Sequence, residues 1–467
     1  MKKQASPTLG SFAQQVLDRY SQSAPTATAV RLALEATFGA AVIDQSFADH
    51  AVGQYTDQLE FSMIVDVMSA VVTRRVNAVN SAITRIGDRL PVSVQAFYQK
   101  MARTEPGVAA GLLKDTAERA GAIIREMGGQ RPPLLEGRRV RVLDGNHLAA
   151  TERRLEVLRG SKAGPLPGFG LVVLDPQLRL LTHVIPCEDG HQQERAQTEQ
   201  ILALVESGDC WIADRNFCTR AILFGIRARE GSFLIRHHAG LEGQPVGVVH
   251  ARGRNSTGHV FEQDYRIEHE GKVLVVRRIT VKLDAPTRDG DTELHLLTDL
   301  PASEVDACLA ANLYQDRWQI ETAFSEVALW LEAEIKPLGY PRAALLGFCV
   351  GLCAYNVMSV VLGALRAVHG DEVVSQDISG YHMVEQARAD GGGLDALLTV
   401  DDWRAVRERD VALIAAELIK LARLIPLRTL KKSRRGPKKP VPPRTKFSDR
   451  PHVSTKRLLD EKRSARR

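Results

Sequence analysis

The sequence predicts a mixed α/β protein with a helical N-terminal region. Three observations carry this. Residues 138–236 alternate short apolar strands with amphipathic helical stretches, in the order strand, hairpin, helix, strand, helix, strand. Residues 240–300 hold four consecutive β-like runs separated by Gly, Asn and Asp turns. The stretches before and after carry the 3–4 residue apolar spacing of helices.

Taken in order, "AVRLALEATFGAAVI" and "FSMIVDVMSAVVTRRVNAVNSAI" make residues 1–135 a helical region, closed by the helix-breaking "GGQRPP". "RRVRVLDGN" (138–146) reads as a strand ending at Asp144 and Gly145. "FGLVVLD" and "LRLLTHVIP" flank the turn "DPQ" and predict a hairpin. "HQQERAQTEQILALVESGD" reads as a helix with a polar start, and "CWIADRNF" (210–217) as a short strand ending on Asp214. "CTRAILFGIRARE" and "SFLIRH" complete residues 136–239. "GVVHARG", "HVFEQDYRIEH", "KVLVVRRITVKL" and "ELHLLTDLP" form an all-β insertion over 240–300. Helices return over 301–365, and a more polar helical region occupies 366–427. Within 301–365, "YQDRWQIETAF" (314–324) reads as one helix with Tyr314, Arg317, Glu321 and Phe324 on one face.

Composition narrows the function classes. At 44% hydrophobic and 25% charged, 467 residues form a soluble globular chain of several structural units. No apolar stretch follows the charged start "MKKQASPTLG", so no secretory signal is expected. The apolar run 344–365 is long enough to raise the question of a membrane span, but Asn356 and its small residues favour a buried core helix. Six cysteines form no Cys-x-x-Cys pair and read as small buried hydrophobes in a reducing compartment. Residues 428–467 hold sixteen Lys and Arg against three acids, which leaves the preceding body net negative. This tail is proline-rich and poor in apolar residues, so it is expected to be a disordered, polyanion-binding arm, with Lys431, Lys432, Arg434, Arg435, Lys438 and Lys439 as its contacts.

Three acids stand at the ends of elements. Asp144 and Asp214 each follow a strand, where ligands gather in open α/β sheets. Glu321 lies on the helix after the β insertion. Singly, each has an ordinary reading as a cap or ion-pair partner. Together, with no thiols or clustered His, they suit a hard divalent cation, Mg²⁺ or Mn²⁺ rather than Zn²⁺.

"LDGNH", "IADRNF" and "YQDRWQIETAF" resemble the three signature segments of DDE transposases of the bacterial insertion-sequence-four group. Tyr314, Arg317 and Glu321 match that group's Tyr-x-x-Arg-x-x-x-Glu core in order and spacing, over a resemblance running from about 138 to 365. It implies a ribonuclease-H-like core interrupted by the β insertion, and a DNA transposase that cuts transposon ends and joins them to target DNA. Asp144, Asp214 and Glu321 would hold two ions about 3.5–4 Å apart, with Asp144 bridging both. Tyr314 and Arg317 would contact the phosphate backbone, with Asn146, His147, Trp318 and Lys336 nearby. For Arg317 the plain role of ion-pair partner to Glu321 stays open. A homodimer on terminal inverted repeats, in a bacterial cytoplasm at the nucleoid, is also implied. The group's lysine after the glutamate is replaced by Ala328. Lys336, Arg342 and the tail are the candidate substitutes.

Some relatives stack a flipped base on an aromatic of the insertion. Here Phe261 and Tyr265 are the only aromatics, so Tyr265 is the candidate platform. His237 and His238 alternate along a strand, which argues against joint metal binding. Two other functions fit the same residues: a metal-dependent nuclease without strand transfer, and a transposase-derived DNA-binding regulator without catalysis.

Overall fold

Alternation of side chains builds the centre of the molecule. In β1 (Arg139–His147), Val142 faces one side of the sheet and Leu143 the other. β2 (Gly164–Leu166) is short; β3 (Phe169–Asp175) is buried at every residue, and β4 (Leu180–Cys187) returns beside it. The intervening turn is held by Asp175, whose Oδ1 accepts from the backbone N–H of Gln177 and Leu178, both at 3.0 Å. α8 (Thr198–Ala203), β5 (Asp209–Ala213), α9 (Arg220–Arg227) and β6 (Ser232–Arg236) follow. The expected helix at 191–209 is reduced to a tight turn, Glu194–Gln197, and the six residues of α8. This computed structural model describes residues 10–87, 90–287, 290–433 and 451–465.

The β segment is β7 (Gln244–Arg254), β8 (Gly258–His269), β9 (Lys272–Leu283) and β10 (Glu293–Thr298). These strands extend the same sheet, whose order is β4-β3-β1-β5-β6-β10-β9-β8-β7. β1, β5 and β6 are mutually parallel; every other neighbouring pair is antiparallel.

Helices cover both faces of the central strands. Before the sheet come α1 (Ser11–Ser23), α2 (Pro25–Phe38), α3 (Ala40–His50), α4 (Phe61–Val72), α5 (Val79–Ile86), α6 (Val94–Arg103) and α7 (Pro106–Glu126). After it come α10 (Ala307–Gln315), α11 (Trp318–Trp330), α12 (Pro341–His369), α13 (Asp371–Asp377), α14 (Gly380–Leu397), α15 (Val400–Arg407) and α16 (Val411–Leu424). α7 and α12 pack on the face bearing Val142, Ile212 and Leu234; α8 and α9 pack on the face bearing Leu143, Ala213 and Ile235. One hydrophobic core runs from Ala13 to Leu430, so the N-terminal helices share it with α12, α14 and α16.

α12 is buried along nearly its whole length, with α2, α4, α7 and α16 around it. By length and composition it and the stretch Pro25–His50 pass for membrane spans, yet the window in α12 is 94% buried. Its polar residue Asn356 is used: Oδ1 accepts from Leu181 N at 2.9 Å and Nδ2 donates to Leu181 O at 2.8 Å. Those groups belong to the edge strand β4, which has no neighbouring strand on that side among the described residues. All six cysteines are free, and all but Cys308 are buried.

Two expectations fail here. The stretch 314–324 is not one helix: α10 stops at Gln315 and α11 starts at Trp318, with Asp316 and Arg317 in the turn between. The described end of the basic tail is also ordered. β11 (His452–Ser454) pairs in parallel with β2, and α17 (Thr455–Ser464) follows it. The open edge of β2 supplies the backbone partners, and two surface acids supply the counter-charges. Arg457 Nε donates to Asp189 Oδ2 at 2.8 Å, and Lys462 Nζ to Glu156 Oε2 at 2.6 Å. Arg434, Arg435, Lys438 and Lys439 lie outside the described residues.

Candidate active site

Parallel pairing brings the two aspartates together. Leu143 of β1 stands opposite Ala213 of β5, so Asp144 and Asp214 occupy adjacent positions at the strands' carboxyl ends. Asp144 lies within β1, which runs to His147, two residues past the expected end at Gly145; Asp214 follows β5 directly.

The break between α10 and α11 delivers the third acid. Its turn is closed by Gln319 N donating to Asp316 O at 2.9 Å and Ile320 N to Arg317 O at 3.1 Å. Ile320 is fully buried and anchors the first turn of α11, while Glu321, one residue on, stays half exposed. Arg317 joins the elements. Its Nη1 donates to Asp144 Oδ2 and its Nη2 to Glu321 Oε1, both at 2.7 Å. Its Nε is buried without a partner among the described residues. The ring of Tyr314 lies 5.9 Å from the guanidinium.

The electrostatics follow. Burial pushes the Asp144 carboxyl up to about 6, against the pull of Arg317 and the Gly145 N–H; Glu321 and Asp214 push it further up. Burial works against the charge of Arg317, yet Tyr314, Asp144, Glu321 and Asp214 together hold it well above its ordinary value. Burial also raises the Tyr314 hydroxyl, with Asp214 adding to the rise and Arg317 opposing it.

The donor chemistry fits a hard divalent cation: three carboxylates, one of them driven toward neutrality by burial, with Glu321 and Asp214 adding to the push. The spacing is that of arginine-bridged carboxylates. Among the described residues, no three His, Cys, Asp or Glu groups stand close enough to hold one ion.

The other expected residues divide. Asn146 and His147 continue β1 beside the site; Asn146 Nδ2 reaches Glu334 Oε1 at 3.5 Å, and His147 stacks near Phe169 at 4.9 Å. Trp318 is 65% exposed and, with Tyr314, Arg317 and Arg236, lines a cavity of about 400 Å³. Lys336 and Ala328 are exposed, while Arg342 is engaged by Glu188 at 2.5 Å. Lys431 and Lys432 are pinned beside α13. Tyr265 cannot serve as a base platform as it stands. It is 5% exposed, with His237 on one side at 5.2 Å and the Arg278 guanidinium over its ring at 5.0 Å. His237 Nε2 lies 3.0 Å from Leu241 O, and His238 Nδ1 accepts from Gly240 N.

Sequence reasoning missed Glu194 as a member of this region. Its Oε2 accepts from Asn216 Nδ2 at 3.1 Å, its Oε1 lies 3.7 Å from His147 Nε2, and a Cβ on Gly145 would stand 1.9 Å from that oxygen. Glu194 thus ties the segment after Asp214 to the segment after Asp144. The only hint was the polar run "EDGHQQER", which reads equally well as a helix start.

No curated protein matches the chain. Residues 136–357 match the family model described as a transposase DDE domain; this stretch begins just before β1, ends inside α12 and contains all three carboxylates, and the match supports a DDE transposase.

Proposed function

We propose that this chain is a DNA transposase that cuts the ends of a mobile element and transfers the freed 3′-OH strands to target DNA. The observation that carries the proposal is Arg317 bridging Asp144 and Glu321, with Asp214 next to Asp144 where the parallel pairing of β1 and β5 ends. The β4-β3-β1-β5-β6 half of the sheet supports a ribonuclease-H-like core, and β7–β9 support an inserted β segment that prolongs it. The motif in 314–321 supports the insertion-sequence-four group.

The reaction is two in-line displacements at phosphorus. A water oxygen first forms a bond to phosphorus as the 3′ oxygen leaves and takes up a proton. That 3′-OH then bonds to a target phosphorus and gives up its proton, as the target strand's own 3′ oxygen leaves and takes one up. Asp144, Asp214 and Glu321 would hold Mg²⁺ or Mn²⁺, two ions per site, which supply a metal-polarised nucleophile and charge stabilisation on the leaving oxygen. Arg317 would exchange one carboxylate partner for a phosphate oxygen, so its charge stays paired throughout. Tyr314 orients that guanidinium from its buried position. Two copies would act on the paired ends of the element, at the nucleoid in the cytoplasm.

The test incubates full-length protein with DNA flanking its gene and Mg²⁺ or Mn²⁺, mapping breaks and joints. Breaks at inverted repeats that become joined to a second DNA, and that vanish in Glu321→Ala, Asp144→Ala and Asp214→Ala, are expected. Breaks without joints would make it a nuclease. Binding without metal-dependent breaks would make it a regulator, the reading that Ala328, where the group carries lysine, favours.

A further inference from the structure

A groove of about 890 Å³ opens where three distant parts of the chain meet. α5 and α6 form one wall, the segment 337–340 with Arg154 and Leu155 forms the other, and Arg463 of α17 closes one side. Its polar lining includes Asn80, Gln99, Arg103, Arg154, Tyr340 and Arg463, and no acid among the described residues. Asn80, Gln99, Arg103 and Arg154 are exposed, Tyr340 is 47% exposed and the Arg463 side chain 79%. Arg154 lies close enough to Tyr98 across the groove to oppose the upward push of burial on its hydroxyl.

The groove connects to the carboxylates through two tied segments. One leaves β1 at His147 and reaches Leu155; the other leaves α11 and reaches Tyr340. Ala149 N donates to Glu334 Oε2, and Glu152 N to Lys336 O, both at 3.0 Å. Exposed Lys336 therefore stands between the arginines of the groove and the active site. The acids in reach of these arginines lie outside the lining: Glu152 holds Arg154 at 2.6 Å, and Asp460 lies 3.9 Å from Arg463.

We propose that this groove seats the sugar-phosphate backbone of duplex DNA flanking the scissile phosphate, and that the docked helix α17 completes it. The inference rests on the transposase reading for what happens to the DNA, but not for the binding itself. A lining with three arginines and, among the described residues, no acid, on a chain body that is net negative before its tail, is complementary to a polyphosphate. The amide and phenol side chains add donors that phosphate oxygens accept without regard to sequence.

The experiment measures binding of full-length protein to a labelled duplex across a range of salt. The variants are Arg103→Gln/Arg154→Gln/Arg463→Gln, the single change Gln99→Glu inside the groove, and Lys420→Gln/Arg423→Gln on α16 as a control. The triple variant is expected to bind about ten-fold or more weakly at low salt and to lose about two to three from the slope of log K against log salt. Gln99→Glu should weaken binding in the same direction, and the α16 control should match wild type. A triple variant with wild-type affinity and slope overturns the groove, as does a control that weakens equally. Metal-dependent cleavage is scored on the same DNA. Loss of salt-sensitive binding in the groove variants of a protein that never cleaves supports the groove and sinks the transposase reading. Wild-type slope in a variant that still cleaves and joins does the reverse.

Discussion

Arg317 and Asp144 form a buried ion pair at 2.7 Å, with the arginine side chain 10% exposed and the aspartate 18%. The same guanidinium holds Glu321, so one cation stands against two carboxylates with a third nearby. Removing it leaves Asp144 buried beside unmatched negative charge. Arg317→Ala should therefore destabilise the metal-free protein by about 3 kcal/mol. Adding Asp144→Asn should recover much of that loss, because the stranded charge is gone. Urea unfolding of the two single variants and the double variant checks this; strictly additive effects would show that the pair is not coupled.

Gly145 sits against the Glu194 carboxylate, which leaves no room for a side chain. Gly145→Ala is expected to push Glu194 off Asn216 and to lower DNA cleavage about ten-fold or more, with near-native stability. Glu194→Ala should cost about 1 kcal/mol of stability for the lost hydrogen bond. Gly145→Ala should then do less harm in the Glu194→Ala background than in wild type. Cleavage rates for the four proteins of the cycle decide it; equal harm in both backgrounds would remove Glu194 from the account.

The helix that carries Glu321 is held at a second point. Arg179, from the turn between β3 and β4, donates to Glu326 of α11 at 2.6 Å and to the buried Tyr355 hydroxyl of α12 at 3.3 Å. Tyr355 in turn donates to Glu326 at 3.3 Å and stacks on Trp330. Glu326→Ala should destabilise the protein by about 3 kcal/mol, since it leaves the arginine without its carboxylate. Glu326→Gln keeps the hydrogen bonds and should cost roughly half as much or less. Thermal melting separates the two; equal melting points would assign the effect to shape alone.

His183 on β4 gives the fold an acid limit. Burial, with Arg141 and Lys114 adding to it, lowers this imidazole to about 4. The unfolded ring titrates near 6.5. Between these values the unfolded chain binds a proton that the folded chain refuses. Stability from this group is complete above about pH 6.5 and is lost as pH falls toward 4, by at most about 3 kcal/mol and less after solvent screening. His183→Gln should flatten that part of the stability–pH curve, measured by urea midpoints from pH 4 to 7.

Local signals carried much of this structure into the sequence. β1, β3, β4, β5 and β6 are short apolar runs bounded by turn residues; Asp214 follows from the boundary of β5, while β1 runs on past Asp144 to His147. The spacing of Tyr314, Arg317 and Glu321 was readable, but the break at Asp316 was not. No Gly or Pro marks it, and the turn is fixed by Arg317 reaching across to β1, a long-range contact. Tyr265 looked open because strand alternation does not say which face a neighbouring strand will cover. The ordered end of the tail escaped composition for a similar reason. "HVS" becomes a strand only against β2.

The pairing of β11 with β2 also bears on how the protein is made. The ribosome delivers β2 early, with its edge open, and delivers β11 only after the whole catalytic sheet has emerged. Until then the groove lacks the helix that closes it. A nascent chain can fold Asp144 and Asp214 into place before β11 and α17 have docked, so strand pairing at β2 is a step that comes after the central sheet has formed.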